Sequence, residues 1–236
     1  MAKVKRVKKG FKRRKSFEEW NDEMYKRHAD ENRYKHPNFF IRYNSLKRSK
    51  NIIALLNSKK SDEILDLGCG CGYVMKEIKD YKYLLGVDIS DTALKEARTF
   101  LKEKLKNKDK VRLMKGDVQK LNLNKKFDKI ISAEVIEHVP NPGELINSIV
   151  RHSKKSTNII ITVPNEDAIN FIFKIFKFLK IHKIFKGVTI KMDWHLHEFN
   201  LRKFKELVKD RLDIVKVKRN PFWFFALSYV VKCRIK

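Results

Sequence analysis

Cysteine is scarce in this chain of 236 residues, where only Cys69, Cys71 and Cys233 occur. An odd, sparse set with no secretory signal excludes a disulfide framework and predicts a reducing, cytoplasmic setting. Cys69 and Cys71 form a C-x-C, but no further cysteine lies near enough to complete a usual zinc pattern, so they read as small residues in a loop. Five prolines and eight glycines leave no low-complexity linker, and no internal repeat is found. Apolar runs are short as well, none approaching the roughly 18–20 residues that span a bilayer. Acid is the last shortage: 28 Asp and Glu stand against 55 Lys and Arg, a net charge of +27. At 42% hydrophobic residues the chain is nevertheless too apolar for a disordered polyelectrolyte. The charge invites an anionic partner, either nucleic acid or a membrane surface.

What is present has an order. Residues 1–15 carry nine Lys or Arg and no acid, and read as a solvated, flexible tail. Ser16-Phe17-Glu18-Glu19 is a capping box that predicts a helix to about Arg33. A second helix is expected from Asn38 to Asn57, so residues 16–59 read as an N-terminal helical cover. From residue 60 onward, short strands alternate with helices. Strands are expected at Glu63–Leu67, Tyr83–Asp88, Val111–Lys115, Lys129–Ala133 and Asn158–Val163. Helices are expected at Tyr73–Asp80, Asp91–Lys106, Pro142–Ser153 and Leu201–Lys209. This alternation predicts an α/β domain with a parallel sheet covered on both faces. A last pair, near Leu212–Val217 and Phe224–Lys232, would form a hairpin that adds an antiparallel edge strand.

The strongest signal is Asp66-Leu67-Gly68-Cys69-Gly70-Cys71-Gly72, an apolar strand running into a glycine turn and then a helix. Alternate glycines let the backbone approach a ligand without Cβ interference, and the helix behind them offers unpaired N–H groups. The third glycine comes one residue earlier than in a dinucleotide fingerprint. Asp66 also suits a cationic ligand group better than a phosphate. The segment resembles the first motif of class I S-adenosylmethionine (SAM)-dependent methyltransferases, D/E-x-G-x-G-x-G. The resemblance covers about residues 60–236 and implies a Rossmann-like, mainly parallel seven-stranded sheet that binds SAM. It implies that Gly68, Gly70 and Gly72 line the methionine and ribose moieties and that Asp66 lies near the amino group. Asp88, ending the next strand, would accept from the ribose hydroxyls, and Asp117 would meet the adenine amino group. Cys69, Ile89, Val118 and Ala133 would complete the lining.

Methyl transfer from a sulfonium needs alignment, plus deprotonation of the acceptor where that is required. Glu134-Val135-Ile136-Glu137-His138 follows the fourth strand, and its i, i+3, i+4 spacing predicts three ligand-capable side chains on one face. Trp194-His195-Leu196-His197-Glu198-Phe199-Asn200 precedes the helix at Leu201, with Asn200 a candidate N-cap. Together these segments resemble two groups: ubiquinone-biosynthesis O-methyltransferases, which carry E-x-x-E-H at this place, and small-RNA 2′-O-methyltransferases, which add a distant His in an H-x-F context. The resemblance implies a divalent cation (Mg, Mn or Fe) on Glu134, Glu137, His138 and His197, where it would lower the pKa of an acceptor hydroxyl. Without a metal, His138 or His197 stands as general base, beside Glu137. His195 reads as structural or rim-exposed.

An insert at 168–192 holds no acid and interleaves phenylalanines with lysines at every third residue. Each such step turns −60° on a helix, so the five lysines from Lys174 to Lys186 would spiral around it; two short helices broken near His182 are expected. As a lid over the acceptor pocket it suits a lipid-like substrate or an anionic membrane surface. Pro221-Phe222-Trp223-Phe224-Phe225 reads as core. The function expected is SAM-dependent methylation of a small-molecule or lipid-like acceptor, at a hydroxyl, in the cytoplasm or peripherally at the inner membrane face. RNA methylation is the alternative, and SAM binding without catalysis is a third. The oligomeric state has no signal in the sequence.

Overall fold

The computed structural model describes residues 16–28, 34, 36–105, 108–179 and 194–236. The basic tail, the expected end of the first helix near Arg33 and the expected break near His182 fall outside the described residues.

Two helices come first, α1 (Phe17–His28) and α2 (Phe39–Leu56). The capping box starts α1: Glu19 N–H donates to Ser16 Oγ and Ser16 N–H to the Glu19 carboxylate. Asn38 caps α2 by accepting from the N–H groups of Phe40 and Ile41. Then follow β1 (Glu63–Leu67), α3 (Tyr73–Glu77), β2 (Tyr83–Asp88), α4 (Asp91–Lys104), β3 (Val111–Lys115), β4 (Phe127–Ser132), α5 (Pro142–Arg151) and β5 (Ser153–Pro164). The chain ends with α6 (Glu166–Phe178), α7 (Leu201–Val208), β6 (Leu212–Pro221) and β7 (Ala226–Ile235). The strands form one sheet in the order β3-β2-β1-β4-β5-β7-β6. Pairing is parallel from β3 to β5, and β7 runs antiparallel to both neighbours. The antiparallel strand therefore lies one place in from the β6 edge.

The central strands are apolar on both sides because both faces are covered. One face gathers Leu65, Leu67, Ile130, Ile159 and Ile161 with side chains of α5 and α7. The other gathers Ile64, Leu84, Ile131 and Ile160 with α3, α4 and the end of α2. Helix α2 thus completes one face of the sheet. Its last carbonyls, of Leu55 and Leu56, accept from the amide of buried Asn158 on β5, at 2.9 and 2.8 Å. Among the described residues no helix is long and apolar enough to cross a membrane.

The described part of the Phe/Lys insert lies in α6, which starts ahead of the insert at Glu166 and ends at Phe178, short of the expected break. One sequence expectation changes here. The aromatic run at 222–225 is not core: it forms the β6–β7 turn, where Trp223 is 81% and Phe224 66% exposed. Phe222 of this turn packs against Tyr43 of α2, while the two rings that follow it point away from the core.

Because β1 leads to β2 and β3 on one side and β4 to β5 on the other, the carboxyl ends of β1 and β4 part and open a crevice. The glycine loop sits at that point. Gly68 has φ 75°, and a Cβ there would lie 2.3 Å from Val135 Cγ2. Gly70 has φ 52°, and a Cβ there would meet nothing within 4 Å. A left-handed backbone costs an L-residue about 1–2 kcal/mol. Gly70→Ala should lose that much in a urea melt, and Gly68→Ala more than about 2 kcal/mol because of the added clash.

Candidate active site

A cavity of about 280 Å³ fills the crevice, close to the lower end of small-ligand sites, roughly 300 Å³. Of the residues expected around a cofactor, Asp66, Gly68, Cys69, Gly70, Asp88, Ile89, Asp117, Val118 and Ala133 line it. Gly72 does not. It caps α3 at φ 82°, and a Cβ there would meet the Leu101 side chain at 3.0 Å, so its smallness serves helix packing.

The polar groups fit a cofactor with one cationic end. Asp66 is buried, and its Oδ1 has no hydrogen-bond partner among the described residues. Burial, with the Asp88 charge nearby, pushes its carboxyl up to about 7. A buried acceptor left open is costly unless a ligand donor meets it. The open space at Gly70 gives a ligand the room that a Cβ would take. Asp88 accepts from Gly70 N–H at 2.8 Å and from Ser90 N–H at 2.9 Å. Burial raises its pKa, and these N–H groups oppose the rise. Asp117 Oδ1 accepts from the backbone and side-chain amides of Gln119.

Helix α1 forms one wall, presenting Phe17, Asn21 and Tyr25 at i, i+4 and i+8. It is fastened by Asp22, whose carboxylate accepts from Ser90 Oγ, Thr92 N–H and Thr92 Oγ1. Tyr25 OH donates to Glu96 at 2.8 Å.

The turn after β4 departs from the expected cluster. Glu134 sits at φ 59°, an uncommon backbone for a non-glycine residue. Its N–H donates to Thr162 Oγ1 at 2.7 Å, and Thr162 Oγ1 donates back to its carboxylate at 3.1 Å. Its other oxygen pairs with buried Arg48 of α2 at 3.2 Å. Glu134 is therefore engaged by Arg48 and Thr162 and stands outside the metal-capable group. His197 is outside it too, since its Nε2–H donates to the Pro140 carbonyl at 3.0 Å.

The residues that converge are Glu137, His138 and His195, each offering a ligand atom within 4.8 Å of the others. Glu137 is buried with Oε2 unpartnered among the described residues, and burial, with Glu134 beside it, pushes its carboxyl up to about 7. His138 Nδ1–H donates to the Trp194 carbonyl at 3.0 Å, which makes Nε2 the basic nitrogen. His195 Nδ1 is 2.7 Å from buried Glu166. Burial opposes protonation of His195, yet the Glu166 bond and the Glu137 charge carry its pKa above the ordinary value. Far from being rim-exposed, His195 is a buried part of the site.

These three residues fit a divalent cation. Their chemistry is two imidazoles and a carboxylate, the carboxylate has an open buried oxygen, and each ring's Nδ1 is held by a carbonyl or carboxylate as metal-ligating histidines require.

Sequence reasoning missed Arg48, Glu166 and His195. Arg48 had a signal: Ser45, Arg48, Ser49, Ile52, Leu55 and Leu56 are all buried along one face of α2 at helical spacing. Glu166 and His195, 29 positions apart, had none.

Asp66→Asn separates the ligand role from the folding role. Between about 3.8 and 7 the folded protein holds a proton on Asp66 that the unfolded chain has released. The group's contribution to stability therefore falls as pH rises and is least above 7. The variant should melt higher than the parent at pH 8 by scanning calorimetry, yet bind SAM at least about tenfold more weakly by titration calorimetry.

A family model described as a methyltransferase domain matches residues 58–209, nearly two thirds of the chain. The ubiquinone biosynthesis O-methyltransferase of Rickettsia akari (strain Hartford) is 32% identical over 104 residues, 44% of this chain and 40% of that protein. The chain spans about half or less of the length of such curated relatives. Among solved structures, magnesium protoporphyrin IX methyltransferase from Synechocystis PCC 6803 with bound SAM aligns with a TM-score of 0.68 at 14% identity, covering 96% of this chain and all of that one. The N-methyltransferase NodS from Bradyrhizobium japonicum WM9, in complex with S-adenosyl-L-homocysteine, aligns at 0.66 and 14% identity, covering 91% and 97%. At such identities these structures speak for the fold. With the glycine loop, the sheet order and the family match in agreement, the chain belongs to the methyltransferase-domain family and has the class I fold of SAM-dependent methyltransferases.

Proposed function

We propose that this protein transfers the methyl group of SAM to a hydroxyl of a small, lipid-like acceptor, with the Glu137–His138–His195 group removing the hydroxyl proton. The observation that carries the reading is the convergence of these three residues, two of which, His138 and His195, line the same cavity as Asp66, Asp88 and the glycine loop. When bound, SAM would supply an electrophilic methyl group, whose bond to sulfur breaks as the acceptor oxygen bonds to carbon, with the neutral thioether as leaving group. Asp66, Asp88 and Asp117 would hold its amino, ribose and adenine groups. His138 Nε2 takes the acceptor proton, and the Trp194 carbonyl keeps its ring in the tautomer that does so. Glu166 does the same for His195. A divalent cation on Glu137, His138 and His195 would occupy His138 Nε2 itself, and its Lewis acidity, lowering the pKa of the hydroxyl, would then stand in place of that nitrogen as base.

A small acceptor is preferred over RNA because His197, the fourth ligand that the RNA reading needs, is bonded to the Pro140 carbonyl. The kinship with ubiquinone-pathway O-methyltransferases points the same way.

His138→Ala should lower kcat by about 100-fold or more with SAM affinity retained, whereas His197→Ala should stay within about threefold. The substrate class is tested by incubating the full chain and methyl-labelled SAM with separate lipid, small-metabolite and RNA fractions. Label in the lipid or metabolite fraction supports the proposal, and label confined to RNA defeats it. Where chelation and Glu137→Gln lower the rate equally, the cation belongs to the reaction.

A further inference from the structure

We propose that an aromatic cluster between the first turns of α2 and the β6–β7 turn docks this protein on an anionic phospholipid bilayer, with Trp223 and Phe224 entering the interface. The cluster lies outside the cavity, and the proposal is independent of the acceptor. Trp223 and Phe224 are largely exposed, and Phe39 is 70% exposed. The patch is built rather than scattered. The Phe222 ring stacks on Tyr43 at 5.9 Å and on Phe224 at 5.4 Å and 9°, and Phe39 stacks on Tyr43 at 6.0 Å. Arg219 Nη1 donates to the Trp223 carbonyl at 3.0 Å, pinning the tip. Exposing bulky rings to water on a fixed turn is unfavourable unless something apolar covers them.

Charge identifies the partner. The segments 36–61 and 214–236 contain no acid, and two cations stand at the patch itself: Arg42 lies over the Phe39 ring at 5.9 Å and Arg219 holds the tip. Aromatic rings at the tip with cations around them match a bilayer interface, where Trp and Phe sit at headgroup depth and lysines and arginines meet lipid phosphate. A nucleic acid would instead need open ring faces for its bases. Here one face each of Phe222 and Phe224 is taken by the other ring.

The placement suits a surface enzyme. β7 starts beside the carboxyl end of β5, where Pro164 pairs with Ser228, so the turn stands at the cavity end of the sheet. Helix α6 rises from the same corner, since Asn165 donates to the Ala226 carbonyl at 2.8 Å, and it carries exposed Phe171 and Phe178.

The test uses the full chain with vesicles of phosphatidylcholine alone or mixed with phosphatidylglycerol. The parent should co-sediment with the mixed vesicles, and its tryptophan emission should shift to the blue as Trp223 leaves water. Trp223→Ser/Phe224→Ser should weaken that binding at least about tenfold and abolish the shift, with SAM affinity unchanged as the sign of an intact fold. Phe39→Ser, on the other segment, should weaken binding independently. Vesicle affinity unchanged in both variants would overturn the proposal, because binding would then rest on net charge alone. So would a loss confined to single-stranded RNA binding.

Discussion

The site depends on one buried ion pair. Arg48 reaches from α2 to Glu134, which occupies the second position after β4 in a left-handed backbone. That pair and the Thr162 hydroxyl help offset the cost of holding a glutamate at positive φ. The reversal at Glu134 starts the short turn that presents Glu137 and His138, and Val135 from the same turn packs into the space beside Gly68. One guanidinium therefore ties α2, the turn after β4 and, through Val135, the glycine loop into a single construction. Glu134 remains partly exposed, so the pair keeps some solvent screening; its main effect is geometric.

The fold was legible where local chemistry decides it. The bounds of β1, β2 and β3 follow from short apolar runs cut off by turn residues, and Asn38, Asn200 and the capping box at Ser16 mark helix starts that the structure keeps. The glycine loop was legible because its residues are consecutive. The polar cluster was not, because its members meet only in three dimensions. Leu196 and His197 both donate backbone N–H to the Glu137 carbonyl, at 2.8 and 3.3 Å, so the chain wraps that oxygen. The side chains on either side then part: His195 turns to Glu166, and His197 to Pro140. No spacing in W-H-L-H-E-F announces such a bend. The role of Glu134 was hidden for the same reason, since its partner lies 86 positions away in a helix that reads as one more basic segment.

Charge has a narrower role than its size suggests. The cavity wall carries Asp66, Asp88, Asp117 and Glu134 against Arg48, so the chemistry runs in a locally acidic setting suited to a sulfonium. The basic excess lies elsewhere: in the tail sequence, in the Phe/Lys insert and around the aromatic tip. Binding of the cofactor and the proposed docking on a bilayer would thus draw on opposite signs of charge.

The two N–H groups that Asp88 already holds carry a last consequence. Gly70 belongs to the loop after β1 and Ser90 to the turn after β2, and one carboxylate braces both. Bonds of the fold itself, joining two loops through one acid, reduce the ordering that a bound molecule must bring about. A cosubstrate that must bind, react and leave in altered form gains from a seat that the protein's own bonds help to hold.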